Sequence, residues 1–155
     1  MSHDAGHQNH DALSSYVSDN HRRIISLTLA LLDEKLSEML EWASGREKKA
    51  ILYEERNRLS VSQSQGIMRE IESVRAILLL LRQNLGLVPR IYDSTVAIRG
   101  VCYAVIDPLV ELEGKYLRAY GQPSAQLVEY LEPEIKKILV HINEILTINS
   151  SGHEK

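Results

Sequence analysis

Apolar residues recur at alternating steps of three and four in four separate stretches of the sequence. A repeat averaging about 3.5 residues places each set on one stripe of an α-helix. The first stripe is Ile25, Leu29, Leu32, Leu36, Met39 and Ala43, and the second Ile67, Ile71, Val74, Leu78, Leu81 and Leu85. The third runs Ile91, Ile98, Cys102, Val105, Leu109, Leu112 and Tyr116, and the fourth Val128, Leu131, Ile135, Ile138, Ile142 and Ile145. A striped helix is stable when a neighbour covers its stripe. The links Gly86–Val88 and Gly121–Gln122 are short enough to fold successive helices back on one another. The expected fold is therefore all-α, an antiparallel up-down-up-down four-helix bundle over residues 18–149. Residues 1–17 mix Gly, Ser, Asn, Asp and His without a stripe and read as a disordered N-terminal tail, with a short C-terminal tail at 150–155.

End signals place the helices. Ser18 or Asp19 can accept from the orphan amides of a first turn, and Gly45 suits the left-handed position that closes a helix. Pro89 suits the first turn of the third helix, which runs to Gly121, and Pro123 opens the fourth, which fades near Asn149. The second helix is the irregular one. Running from Glu47 to the residue before Gly86, it would reach roughly 60 Å, against roughly 39 Å for the first and fourth. The stretch Ser60–Gly66 within it has low helix propensity, and Ser62 with Gln65 matches a capping box. Either this helix breaks or kinks near residues 60–66 or its charged first half projects beyond the bundle. With no proline to break it, the favoured expectation is a long, continuous but bent second helix. In the third helix Pro108 removes one backbone bond and clashes with the carbonyl of Ala104, so a kink is expected there.

Surplus apolar surface points to assembly. Beside its stripe the third helix carries Val96, Val101, Ile106, Val110 and Leu117, and the first carries Ile24, Leu27 and Leu31. Every helix of a lone four-helix bundle keeps an outer face in water, so either a folded-back segment of the second helix covers the third or these residues are candidates for an interface with a second subunit. Ala97, Gly100 and Ala104 form a stripe of small residues that permits close helix approach.

Chemistry-bearing patterns are sparse. With a net charge of −3 over 155 residues there is no basic footprint for nucleic acid. No apolar run reaches the roughly 20 residues of a membrane span, and no secretory signal is visible, so a soluble cytoplasmic protein is expected. The single cysteine, Cys102, lies on a core stripe and acts there as a small hydrophobe. His3, His7 and His10 share helical spacing, but a floppy tail supplies no supporting shell for a metal. Diiron bundles need Glu-x-x-His pairs, and Ser18 and Ile138 stand where those glutamates would precede His21 and His141. Gly-rich phosphate loops, Cys-x-x-Cys and His-Glu-x-x-His are absent. The charged run from Arg46 to Arg58, with Glu54 and Arg58 spaced for an i,i+4 pair, reads as a solvated helix face or a docking surface.

These observations favour a non-enzymatic interaction or oligomerisation module, a homodimer acting as adaptor or scaffold, with no cofactor, catalytic residue or metal. A small-ligand cavity near Pro108, lined by Cys102 and Tyr103, is the alternative. A third reading is phosphotransfer through His21. The string Asn20-His21-Arg22-Arg23 resembles the phospho-accepting helix of two-component signalling proteins, although Ile24 and Ile25 stand where those helices carry polar residues.

Overall fold

A computed structural model describes residues 13–152 of the chain. After a helical turn at residues 13–15 come α1 (Asp19–Ala43), α2 (Val61–Leu85), α3 (Ser94–Val110), α4 (Gly114–Leu117), a 3-10 turn (Arg118–Tyr120) and α5 (Ala125–Ser151). The described residues contain no strand, only an isolated antiparallel bridge between Lys49 and Glu54. The all-α expectation holds. The chain divides after Arg90 into two compact units.

The first unit is a hairpin of α1 and α2. Ser18 caps α1 by accepting from the His21 amide at 3.2 Å. At the other end Gly45 adopts φ 96°, its amide donates to the Trp42 carbonyl (3.0 Å), and the Arg46 amide donates to Glu41 (2.9 Å). Those paired bonds close the helix in a Schellman motif. Near the start of α1, Arg22 Nε donates to the Leu85 carbonyl at the end of α2 (3.1 Å). Midway, Arg75 pairs with Asp33 (3.4 Å) and donates to Ser37 (2.9 Å). The start of one helix therefore lies beside the end of the other, an antiparallel pair. Residues 13–17, expected in the tail, form a turn whose Ser14 carbonyl accepts from Arg22 Nη2 at 2.8 Å.

The long, bent second helix is not what forms. Residues 46–60 are non-helical, and α2 starts at Val61. Its capping box uses Ser60 and Gln63, not Ser62 and Gln65: the Gln63 amide donates to Ser60 Oγ (3.1 Å) and the Ser60 amide to Gln63 Oε1 (2.8 Å). The physical reason lies upstream. Arg46 donates to Glu55 through Nε (3.0 Å) and Nη2 (2.8 Å), and Asn57 Nδ2 donates to the Trp42 carbonyl (2.6 Å). A continuous helix would carry those partners apart at about 1.5 Å per residue.

The second unit pairs α3 with α5. Asp93 caps α3, accepting from the Thr95 amide at 2.8 Å, so the helix begins at Ser94 rather than at Pro89. Ile91, expected on its stripe, precedes the helix and is exposed. Asn149 Nδ2 donates to the Thr95 carbonyl (2.8 Å), which sets the end of α5 beside the start of α3. Helix α3 continues past Pro108 only to Val110, whereas a kinked helix reaching Gly121 was expected. Proline already costs this turn one bond to Ala104. Six residues after that proline a backbone contact takes over: the Gly114 amide donates to Glu132 Oε1 at 3.1 Å. A Cβ at Gly114 would lie 2.7 Å from Val128 Cγ1, so this approach belongs to glycine. Ser124, next to Pro123, caps α5, which continues through Pro133 to Ser151.

Candidate interaction surfaces

Two helices can cover only one stripe each, and the burial pattern shows it. The first unit buries Leu36, Ala43 and Ile71; the second buries Cys102, Gly114 and Ile135. All of these except Gly114 lie on the stripes read from the sequence. The rest of the second stripe, Ile67, Val74, Leu78, Leu81 and Leu85, is half-buried.

The surplus residues lie where water reaches them to different degrees. On α1, Ile24 and Leu31 are more than half exposed and Leu27 is exposed at 38%. On α3, Val96 and Val101 are 58% and 64% exposed, while Ile106 and Val110 are half-buried, as is Leu117 on α4. Ala97, Gly100 and Ala104 are exposed, and no atom lies within 4 Å of a Cβ built at Gly100. That small-residue stripe touches no neighbouring helix at Gly100.

The segment between α1 and α2 carries a feature that helical periodicity could not reveal. It folds as a tight hairpin, with the Ala50 amide donating to the Tyr53 carbonyl (2.9 Å) and the Glu55 amide to the Lys48 carbonyl (2.8 Å). Its base is locked by charge. Arg46 lies 4.8 Å above the Trp42 ring, forks onto Glu55 and pairs with Glu41. Glu55 also accepts from the Lys48 amide (3.1 Å), and the Asn57 amide donates to Glu47 Oε1 (2.8 Å). The Arg46 guanidinium, with help from the Lys48 amide, holds the Glu55 carboxyl at about 2, well below its ordinary range, and the two carboxylates raise Arg46 in turn. At the tip of this braced loop stand Ile51 and Leu52, 97% and 96% exposed. The signal in the sequence was an Ala-Ile-Leu-Tyr run between two charged clusters, too short to make a stripe.

Close to that loop, α1 and α2 enclose an open groove of about 470 Å³, lined by Leu36, Met39, Leu59, Gly66, Ile67 and Val74, with Gln63, Glu70 and Ile71. The lining is almost entirely apolar. In the second unit a depression of about 630 Å³ surrounds Gly114, but Lys115, Arg118, Glu129 and Glu132 give it charges of both signs.

Cys102 is buried, whereas Tyr103 and Pro108 are exposed, so burial separates the three residues considered for a pocket. His21 is exposed in the first turn of α1 and His141 is exposed on α5. His3, His7 and His10 lie outside the described residues. Glu54 pairs with Arg56 at 3.5 Å, in place of the helical Glu54–Arg58 pair. Among the described residues no group of three His, Cys, Asp or Glu side chains could hold a metal ion, and no helix is long and apolar enough to cross a membrane. No family model, no curated protein and no solved structure matches this chain.

Proposed function

We propose that this chain is a non-enzymatic helical interaction module that forms a homodimer and serves as an adaptor or scaffold. One observation carries the reading. Helix α3 buries Cys102 while Val96, Val101 and Tyr103 stand in water, and α1 leaves Ile24 and Leu31 exposed in the same way. Exposed apolar side chains scattered singly are ordinary; runs of them along two helices mark surfaces that another molecule covers. A second copy supplies that cover at no cost in sequence, because a two-fold contact uses the same patch twice. The test is light scattering after size exclusion, with sedimentation equilibrium across the micromolar range. Twice the chain mass is expected, and Val96→Asp with Val101→Asp should return it to the mass of one chain. A monomer at every concentration would remove the reading.

A further inference from the structure

We infer that the tip of the α1–α2 loop is a plug and the groove beside it a socket, and that each copy in the homodimer inserts Ile51 and Leu52 into the apolar groove of the other. The inference rests on the dimer proposed above and assigns one of its contacts. Turns favour Gly, Asn and Asp, whose backbone or polar side chains suit a tight reversal. Here the tip holds two four-carbon apolar side chains in a turn that uses no positive φ. Turn chemistry does not ask for isoleucine and leucine, and neither packs on its own chain. The loop beneath them is stiff, because Arg46, Glu55, Asn57 and Trp42 tie its base together. A rigid anchor loses little freedom on binding, which is the usual design of a residue that fills a partner's pocket.

The groove fits that anchor in size and chemistry. It has room for both side chains, and its polar lining is confined to Gln63 and Glu70. The hairpin from Arg46 to Arg56 carries four basic residues against Glu47, Glu54 and Glu55, so it enters with a net charge of +1 opposite the Glu70 carboxylate in the socket. The occupant is not the tip of the same chain. Although the plug and the socket belong to one unit, the tip stays almost wholly in water. A second copy carries both complements, so a two-fold pair satisfies two sockets with two plugs and closes without leaving an open end.

Two variants test the contact without disturbing the fold. Ile51→Asp with Leu52→Asp changes only exposed side chains. Gly66→Leu adds a side chain to the groove, where a Cβ meets nothing closer than Arg69 Nη2 at 3.9 Å, and removes a glycine from a helix. Both should shift the mass in sedimentation equilibrium from twice that of the chain to the 17.6 kDa of one chain, with helical circular dichroism unchanged. In a Cys102→Ala background, separately tagged Leu52→Cys and Met39→Cys chains, mixed and oxidised with copper phenanthroline, should give a disulfide joining the two tags. A dimer that survives both variants overturns the plug and leaves the homodimer standing, whereas a monomeric parent chain overturns both. Binding to phosphatidylserine vesicles that disappears with Ile51→Asp and Leu52→Asp, while the dimer persists, overturns the plug in favour of a membrane contact.

Discussion

Both units of this protein are antiparallel helical hairpins, yet they stop and reverse their helices by opposite means. In the first unit α1 ends on a Schellman motif, and a polar network around Arg46 and Glu55 holds a loop that has almost no core of its own. In the second unit α3 ends just past Pro108, and the returning chain is held where the Gly114 backbone presses on Val128 and Glu132 of α5. Charge organises one reversal and close packing the other. A polar brace leaves its loop free to present apolar residues to solvent, as Ile51 and Leu52 show. The packed reversal buries Gly114 against α5, although Leu112, Tyr116 and Tyr120 around it stay exposed.

The sharpest test of the shared part of this picture is the seam. Ile71→Ala in the first unit and Ile135→Ala in the second each remove one of the most buried side chains of their hairpin. Each should lower stability by about 3 kcal/mol, measured by urea denaturation followed by helical circular dichroism. A loss much smaller in one variant would mean that its hairpin is not held by its stripe.

The contrast in reversals is probed by two glycines. Gly114→Ala should cost about 2 kcal/mol through overlap with Val128, and the cost should shrink when Val128 is also shortened to alanine. Gly45→Ala should cost about 1 kcal/mol for a different reason: its φ of 96° strains any other residue, although nothing lies within 4 Å of the new Cβ. No companion substitution should relieve it. A Gly114→Ala cost that stays the same when Val128 is shortened would erase the distinction between packed and unpacked turns.

The smallest expected effect is local and depends on pH. Glu55 has a folded value of about 2 against an ordinary 4.5, so its contribution is complete above 4.5 and is lost as the pH falls through about 2. The Lys48 amide, which donates to Glu55, should report this as a chemical-shift change with a midpoint near 2. A midpoint near 4.5 would show that the ion pair does not hold the loop in solution.

Much of the architecture was legible because helical periodicity is a local signal. The stripe residues Leu36, Ala43, Ile71, Cys102 and Ile135 are the buried apolar side chains among the described residues, and Ser18, Gly45 and Gly86 sit at helix ends as their chemistry implied. The Arg46–Arg58 run suits a charged helix face by composition, yet residues 46–60 are not helical. What overrides that propensity is a set of bonds spanning 9 to 15 residues, Arg46 to Glu55 and Trp42 to Asn57. Pro108 suggested a kink in a helix reaching Gly121, whereas α3 ends at Val110; the contact of Gly114 with α5 beyond that end lies outside any local window. Of the candidate surfaces, the surplus residues on α1 and α3 could be read from their off-stripe positions. The Ile51–Leu52 tip and its groove could not, since neither has a period.

The sequence by itself determined that the chain is helical and on which stripes the most buried apolar residues lie, because a stripe repeats within a few turns and needs no distant partner to be seen. Stripe residues such as Ile91, Ile98, Ile138 and Ile145 are nonetheless exposed. Only the tertiary structure decided where helices stop and what the loops present. Those outcomes depend on single pairings between residues far apart in the chain: a guanidinium meeting one carboxylate, and a glycine meeting one valine.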